Sequence, residues 1–136
     1  MDKSKLRNEM CSVFIEVRRS FVHELSDLGL SYQQWNVLKL IKSSDEPISA
    51  KILVEKMNSD KATISGILKR LVSNKYIKEK KNPSDKRETL LFLSTKSTGL
   101  CDKVMILEEN FNNKIYANLS EEDMEQLSDL LQKIVF

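Results

Sequence analysis

Apolar residues recur at helical spacing along most of this 136-residue chain. Leu6, Met10, Val13, Phe14, Val17, Phe21, Leu25 and Leu28 step by threes and fours, which predicts an amphipathic helix from about Lys3 to Leu28. Gly29 is placed to end it as a C-cap glycine. Ser31 and Gln34 have the spacing of a capping box, and Leu30 with Trp35 that of a hydrophobic staple, so a second helix starts at Ser31. Its residues Trp35, Val37, Leu38, Leu40 and Ile41 are apolar on more than one side, as expected of a central helix. The stretch SSDEP (43–47) reads as a loop, since Pro47 bars helix continuation. Ile48 can pair briefly as a strand.

Ser49 caps a third helix over 50–57, and Asn58 suits the left-handed residue that ends it. Asp60 then caps a fourth helix running to about Asn74. Ile64, Ile67, Leu68 and Leu71 form its single apolar stripe. After it the period changes. YIKEKK (76–81) and ETLLFLS (88–94) read as two strands, with NPSDKR (82–87) as the connecting tip, rich in turn formers. Ser94 caps a long fifth helix, whose Leu100, Val104, Leu107, Phe111 and Ile115 form a narrow seam. Such a seam needs a partner helix, and a second copy of the chain is the expected one, ahead of packing within the same chain. Ser120 and Asp123 box the start of a sixth helix, with Met124, Leu127, Leu130, Leu131 and Ile134 on its inner face.

Charge adds what periodicity omits. The net charge of +2 hides an asymmetry. Residues 59–87 carry nine Lys/Arg against three Asp/Glu, whereas residues 101–136 carry three Lys against eight Asp/Glu. The middle of the chain suits a polyanion and the C-terminal part does not. Cys11, Cys101 and the single histidine, His23, have no metal-site spacing, so neither a metal nor a cofactor is expected. Two widely spaced cysteines in a helical, lysine-rich chain suit a reducing compartment, and no apolar leader or membrane span is visible. A cytoplasmic protein is the resulting expectation.

Helix 50–57, a short turn and helix 61–74 make a helix-turn-helix, and the hairpin after it makes a winged helix. A recognition helix enters the major groove by its N-terminal turns, where side chains must be short and polar. Thr63 and Ser65 can bond a base or a phosphate, Ala62 can touch a thymine methyl, and Lys61 can reach guanine or phosphate. Lys69 and Arg70 lie further along, where the DNA backbone returns. The hairpin tip offers Lys80, Lys81, Lys86 and Arg87, and an arginine there can enter a narrow minor groove. Asp85 is placed to hold Arg87.

At these residues the sequence resembles the MarR family of bacterial transcription regulators. NPSDKRETLLFLS (82–94) is similar to the family's Asp-x-Arg wing followed by a short strand and Leu-Ser/Thr. LVEKMNSDKATISGILKRL (53–71) and LGLSYQQWNVLKLI (28–41) are similar to its helix-turn-helix and second helix. The resemblance implies a mainly α fold with a small β-hairpin wing, a single MarR-like domain over 1–136. Residues 31–95 would form the DNA-binding lobe, and 1–28 and 96–136 the dimerisation helices. It carries Asp85 and Arg87 onto the wing motif, and Lys61, Thr63, Ser65 and Lys69 onto the recognition helix. Gly66 departs from the pattern, standing where many members place an arginine. It costs about 1 kcal/mol of helix propensity against Ala and admits a closer approach to DNA. Asn58 and Ser59 replace the family's usual glycine and apolar residue in the turn, and Ser97 takes a position where glycine is common.

Two function classes stay open: a homodimeric DNA-binding regulator on a pseudo-palindromic operator, and a winged-helix adaptor for an acidic protein. An enzyme ranks below both, because the sequence has no Gly-rich phosphate loop and no nucleophile elbow. The regulator is expected to be a repressor, released by a small ligand or an oxidant as the resemblance implies. Cys11 would be the oxidant's target, although a free cysteine on an apolar face is more often a small buried hydrophobe. His23, Arg18, Arg19 and Trp35 could line a ligand cavity; their simpler readings are surface polar groups and a core tryptophan.

Overall fold

Short polar side chains set the helix starts in the computed structural model, which describes residues 1–134. Helix α1 spans Lys3–Ser26, α2 Tyr32–Ser43, α3 Ala50–Met57, α4 Lys61–Ser73, α5 Thr95–Ile115 and α6 Glu121–Gln132. The Ser31 and Ser120 hydroxyls accept from Gln34 and Asp123 backbone N–H groups at 3.1 Å each, and both reciprocal side-chain bonds form. Ser49, Asp60 and Ser94 cap α3, α4 and α5. Asp2 caps α1 by accepting from the Ser4 N–H at 2.9 Å. Helix α1 stops at Ser26, two residues short of the expected Leu28. The Leu30 N–H reaches back to the Leu25 carbonyl at 3.3 Å around Gly29, whose φ is +74°.

Three strands form one antiparallel sheet in the order β1-β3-β2: β1 Ile48–Ser49, β2 Ile77–Asn82 and β3 Asp85–Leu93. Ile48 faces Leu91, as its brief pairing required. The hairpin is longer and tighter than expected. Pairing starts at Asn82 opposite Asp85, so only Pro83 and Ser84 make the turn. Lys80, Lys81, Lys86 and Arg87 therefore lie on the strands behind the tip, not in it. Strand pairing overrode the turn-forming character of Asp85.

One core holds α1 to α5 and the sheet together, and α6 places no residue in it. Trp35, Val37 and Leu38 of α2 are fully buried with Leu25, Leu53, Ile64, Leu71 and Leu91. The Trp35 indole N–H is the one buried side-chain polar atom left without a hydrogen-bond partner among the described residues. Helix α2 is central, as predicted.

The seam of α5 corrects the expectation that it favoured a second copy. Val104 is 0% and Phe111 7% exposed within one chain, and Leu100, Leu107 and Ile115 pack against the same core. Phe111 meets Phe21 with ring centroids 5.2 Å apart. The unburied apolar surface lies elsewhere. On α1, Leu6, Val13 and Phe14 are exposed, so only its second half joins the core. On α6, Leu127, Leu130 and Leu131 are exposed, Met124 is half-buried, and Ile134 lies beyond the helix end.

Helix α4 ends in a Schellman pattern. The Tyr76 N–H donates to the Leu71 carbonyl at 2.8 Å and the Lys75 N–H to Val72 at 3.0 Å. This forces Lys75 into the left-handed region at φ 61°. Lys75→Gly should therefore stabilise the fold by about 0.5–1 kcal/mol in urea unfolding, and Gly29→Ala should cost about 1 kcal/mol. Equal midpoints for Lys75→Gly and wild type would show that the turn carries no strain.

Candidate nucleic-acid interface

The buried stripe of α4 decides what the helix shows to solvent. Ile64, Ile67, Leu68 and Leu71 are buried, while Lys61, Ala62, Thr63, Ser65, Gly66, Lys69 and Arg70 are all exposed. Thus every α4 residue expected to meet DNA lies on the outer surface. The turn from α3 delivers this geometry. Asn58 adopts the left-handed conformation, φ 49° and ψ 46°, that a glycine would take more cheaply. Asp60 accepts from the Thr63 backbone N–H at 2.7 Å and holds the first turn. A methyl built on Gly66 would meet nothing within 4 Å. No packing inside the chain requires a glycine there.

The hairpin presents a second cationic element. Asp85 Oδ1 accepts from both the backbone N–H and the Nε of Arg87, each at 3.1 Å. The Arg87 side chain is nevertheless 91% exposed. Asp85 takes one edge of the guanidinium, with Nη2 also donating to Oδ2 at 3.5 Å, and leaves Nη1 without a bond to it. The side-chain bonding from Arg87, followed by its backbone N–H, holds the Asp85 carboxyl below its ordinary value. Lys81 and Lys86 are exposed beside it, and Lys80 lies over the Phe92 ring, 5.3 Å from its centroid. Asn82 braces the turn, accepting from the Ser84 N–H at 3.0 Å and donating to Glu88 at 2.9 Å.

Lys96 braces the lobe from the start of α5. Its ammonium donates to the Asn74 carbonyl at the end of α4 at 3.1 Å and lies 4.5 Å above the Tyr76 ring. A cation at a helix C-terminus is favoured by the exposed carbonyls there. It ties the start of α5 to the end of α4. No local motif signals it, because the partners are 22 residues apart.

Beside α4 runs a cleft of about 590 Å³, floored by Val54, Ile64, Leu68 and Leu91 and rimmed by Lys61 and Lys69. A smaller cleft lies between α1, α2 and α5, where Phe14, Phe21, Tyr32 and Phe111 meet Arg18 and Glu108. Of the four residues considered for a ligand cavity, Arg18 lines this cleft; His23 and Arg19 are exposed elsewhere on α1, and Trp35 is in the core. Cys11 is exposed, contrary to its reading as a small buried hydrophobe, because the first half of α1 leaves the core. Cys101 is the buried thiol, and burial pushes its pKa up.

Residues 30–89 match the MarR family model. The chain is 25% identical over 141 aligned positions to the HTH-type transcriptional regulator MgrA of Staphylococcus aureus, covering 98% of this chain and 92% of that protein. Its fold is similar to that of a mutant MarR from E. coli, solved complexed with operator DNA. The TM-score is 0.85 at 25% identity, with 97% of this chain and 94% of that one covered. AbsC of Streptomyces coelicolor, a MarR family transcriptional regulator, shares the fold at TM-score 0.88 and 16% identity, over 96% of this chain and 91% of that one. No helix among the described residues is long and apolar enough to cross a membrane.

The cap of α4 makes a pH test available. Hydrogen bonds from Thr63 hold the Asp60 carboxyl below its ordinary value of 3.8. A depressed folded value means the ionised cap stabilises the fold above the ordinary range and loses that contribution as pH falls through the depressed value. The gap in urea midpoint between wild type and Asp60→Asn should be open at neutral pH and narrow as pH drops below 3.8. A gap independent of pH would remove the charged cap from the account.

Proposed function

We propose that this chain, whose residues 30–89 match the MarR family model, is a sequence-specific DNA-binding transcription regulator that works as a homodimer in the cytoplasm. No catalytic role is assigned to it. The observation that carries this reading is the outer face of α4, short and polar at its front with Lys69 and Arg70 behind, together with an exposed Arg87 on the hairpin. The front turns, with Lys61, Ala62, Thr63, Ser65 and Gly66, would enter the major groove. Lys69, Arg70, Lys80, Lys81 and Lys86 would neutralise phosphates, and Arg87, held by Asp85, would reach the minor groove. A neighbour of this fold was solved with operator DNA on it, which supports the same docking here.

The dimer reading rests on the apolar surface that one chain leaves bare. Val13 and Phe14 are each 63% exposed, and Leu130 is 58% exposed. A second copy is the natural cover, with residues 1–28 and 96–136 forming the interface and 31–95 the lobe on DNA. Two such lobes must hold their α4 helices about 34 Å apart to bind successive turns.

Binding to duplex from upstream of the gene should fall steeply with salt. Arg87→Ala should weaken it about ten-fold or more while the dimer survives size-exclusion chromatography. Thr63→Ala and Ser65→Ala should change sequence preference more than Lys80→Ala does. Gly66→Ala should separate two properties. It should raise stability by about 1 kcal/mol and yet weaken binding, because the added methyl stands between helix and DNA. A purified wild-type dimer that shifts no upstream DNA would instead favour a protein-binding adaptor.

A further inference from the structure

We infer that Lys39 and Glu108, with Lys42 and Asp102 as a second pair, are positioning residues that set the angle of the DNA-binding lobe against α5. The inference rests on the regulator reading above. Lys39 and Lys42 lie on α2, inside the segment that matches the family model. Glu108 and Asp102 lie on α5, outside it. The Lys39 ammonium donates to both carboxylate oxygens of Glu108, at 2.8 and 2.9 Å. Lys42 lies 3.7 Å from Asp102. Rising numbers on α2 meet falling numbers on α5, so the helices run antiparallel with the two pairs along one seam.

The mechanics follow from where α5 is otherwise held. Its first turn is pinned: the Ser94 N–H donates to the Tyr76 carbonyl at 3.0 Å, the Ser97 hydroxyl bonds the same carbonyl, and Lys96 holds Asn74. From that pivot Asp102 and Glu108 lie about 12 and 21 Å along the helix, at 1.5 Å per residue. A rotation of about 5° at Ser94 thus becomes a displacement of about 2 Å at Glu108. Between these points α2 and α5 meet through apolar side chains such as Cys101 and Val104, whose attraction is non-directional. A two-point ammonium–carboxylate bond is directional. The side chains of Lys39 and Glu108 are 43% and 23% exposed, and pairs this wet add little to stability. What the pair contributes is orientation.

The spacing of two recognition helices depends on this angle in each protomer, so loosening it lowers the fraction of dimers competent for operator. The test uses the full chain with Cys11→Ser, spin-labelled at Ser73→Cys on α4 and Asn113→Cys on α5, and diluted with unlabelled protein so that the intrachain distance is read. Lys39→Glu and Glu108→Lys should each broaden the distance distribution and weaken binding to upstream DNA about five-fold. The charge-swapped double variant should restore both, with thermal midpoints nearly constant throughout. Lys39→Gln gives a milder version should a reversal disturb folding. Unchanged distributions in the single variants, or a double variant no better than either, would overturn the inference. Wild-type protein that binds no DNA would overturn the function reading alone, since the distances would still respond.

Discussion

The inward packing of α4 is the constraint on which the rest depends. A helix with one apolar stripe has one way to bury it. Burial of Ile64, Ile67, Leu68 and Leu71 contributes roughly 1.5–3 kcal/mol per side chain. Rotating α4 by a third of a turn would expose those four and drag Lys61 or Arg70 into the core. The outer face is thus fixed by what the inner face buries. The αL turn at Asn58 and the Asp60 cap then aim the first turn outward.

Around this helix the molecule divides its chemistry. Cations gather on α4 and the hairpin, and carboxylates on α6, whose five Asp/Glu stand without a Lys or Arg, while α5 balances three of each sign. A polyanion is drawn to the basic elements and repelled by acidic α6, which favours one orientation. Helix α2 mediates between the two regions. Tyr32 at its start meets Phe21 of α1 edge-on and carries the Arg18 guanidinium 4.7 Å above its ring. Lys39 and Lys42 near its end meet α5. Its buried Trp35 and Leu38 lock it to the core between these contacts.

Much of this was legible from residue pattern. Caps at Ser31, Ser49, Asp60, Ser94 and Ser120 could be placed because a capping hydroxyl or carboxylate acts within three residues. The outward set on α4 followed from its stripe for the same reason. Readings that needed distant partners fared worse. The α5 seam looked like half of a coiled coil, but Phe21 lies ninety residues away and fills the role of partner. Cys11 looked buried, because spacing alone does not tell which half of a long amphipathic helix reaches the core. The hairpin tip was drawn too wide, since ladder pairing at Asp85 depends on Asn82 across the turn. Lys96 and the α2–α5 ion pairs left no local trace at all.

Hydroxyl-radical footprinting of the wild-type protein on DNA from upstream of its gene tests the central claim most directly. Two copies presenting α4 outward should protect two patches of backbone centred about one helical turn apart, roughly 10–10.5 base pairs, related by a dyad. A single protected patch, or protection spread evenly along the fragment, would contradict the paired-helix account.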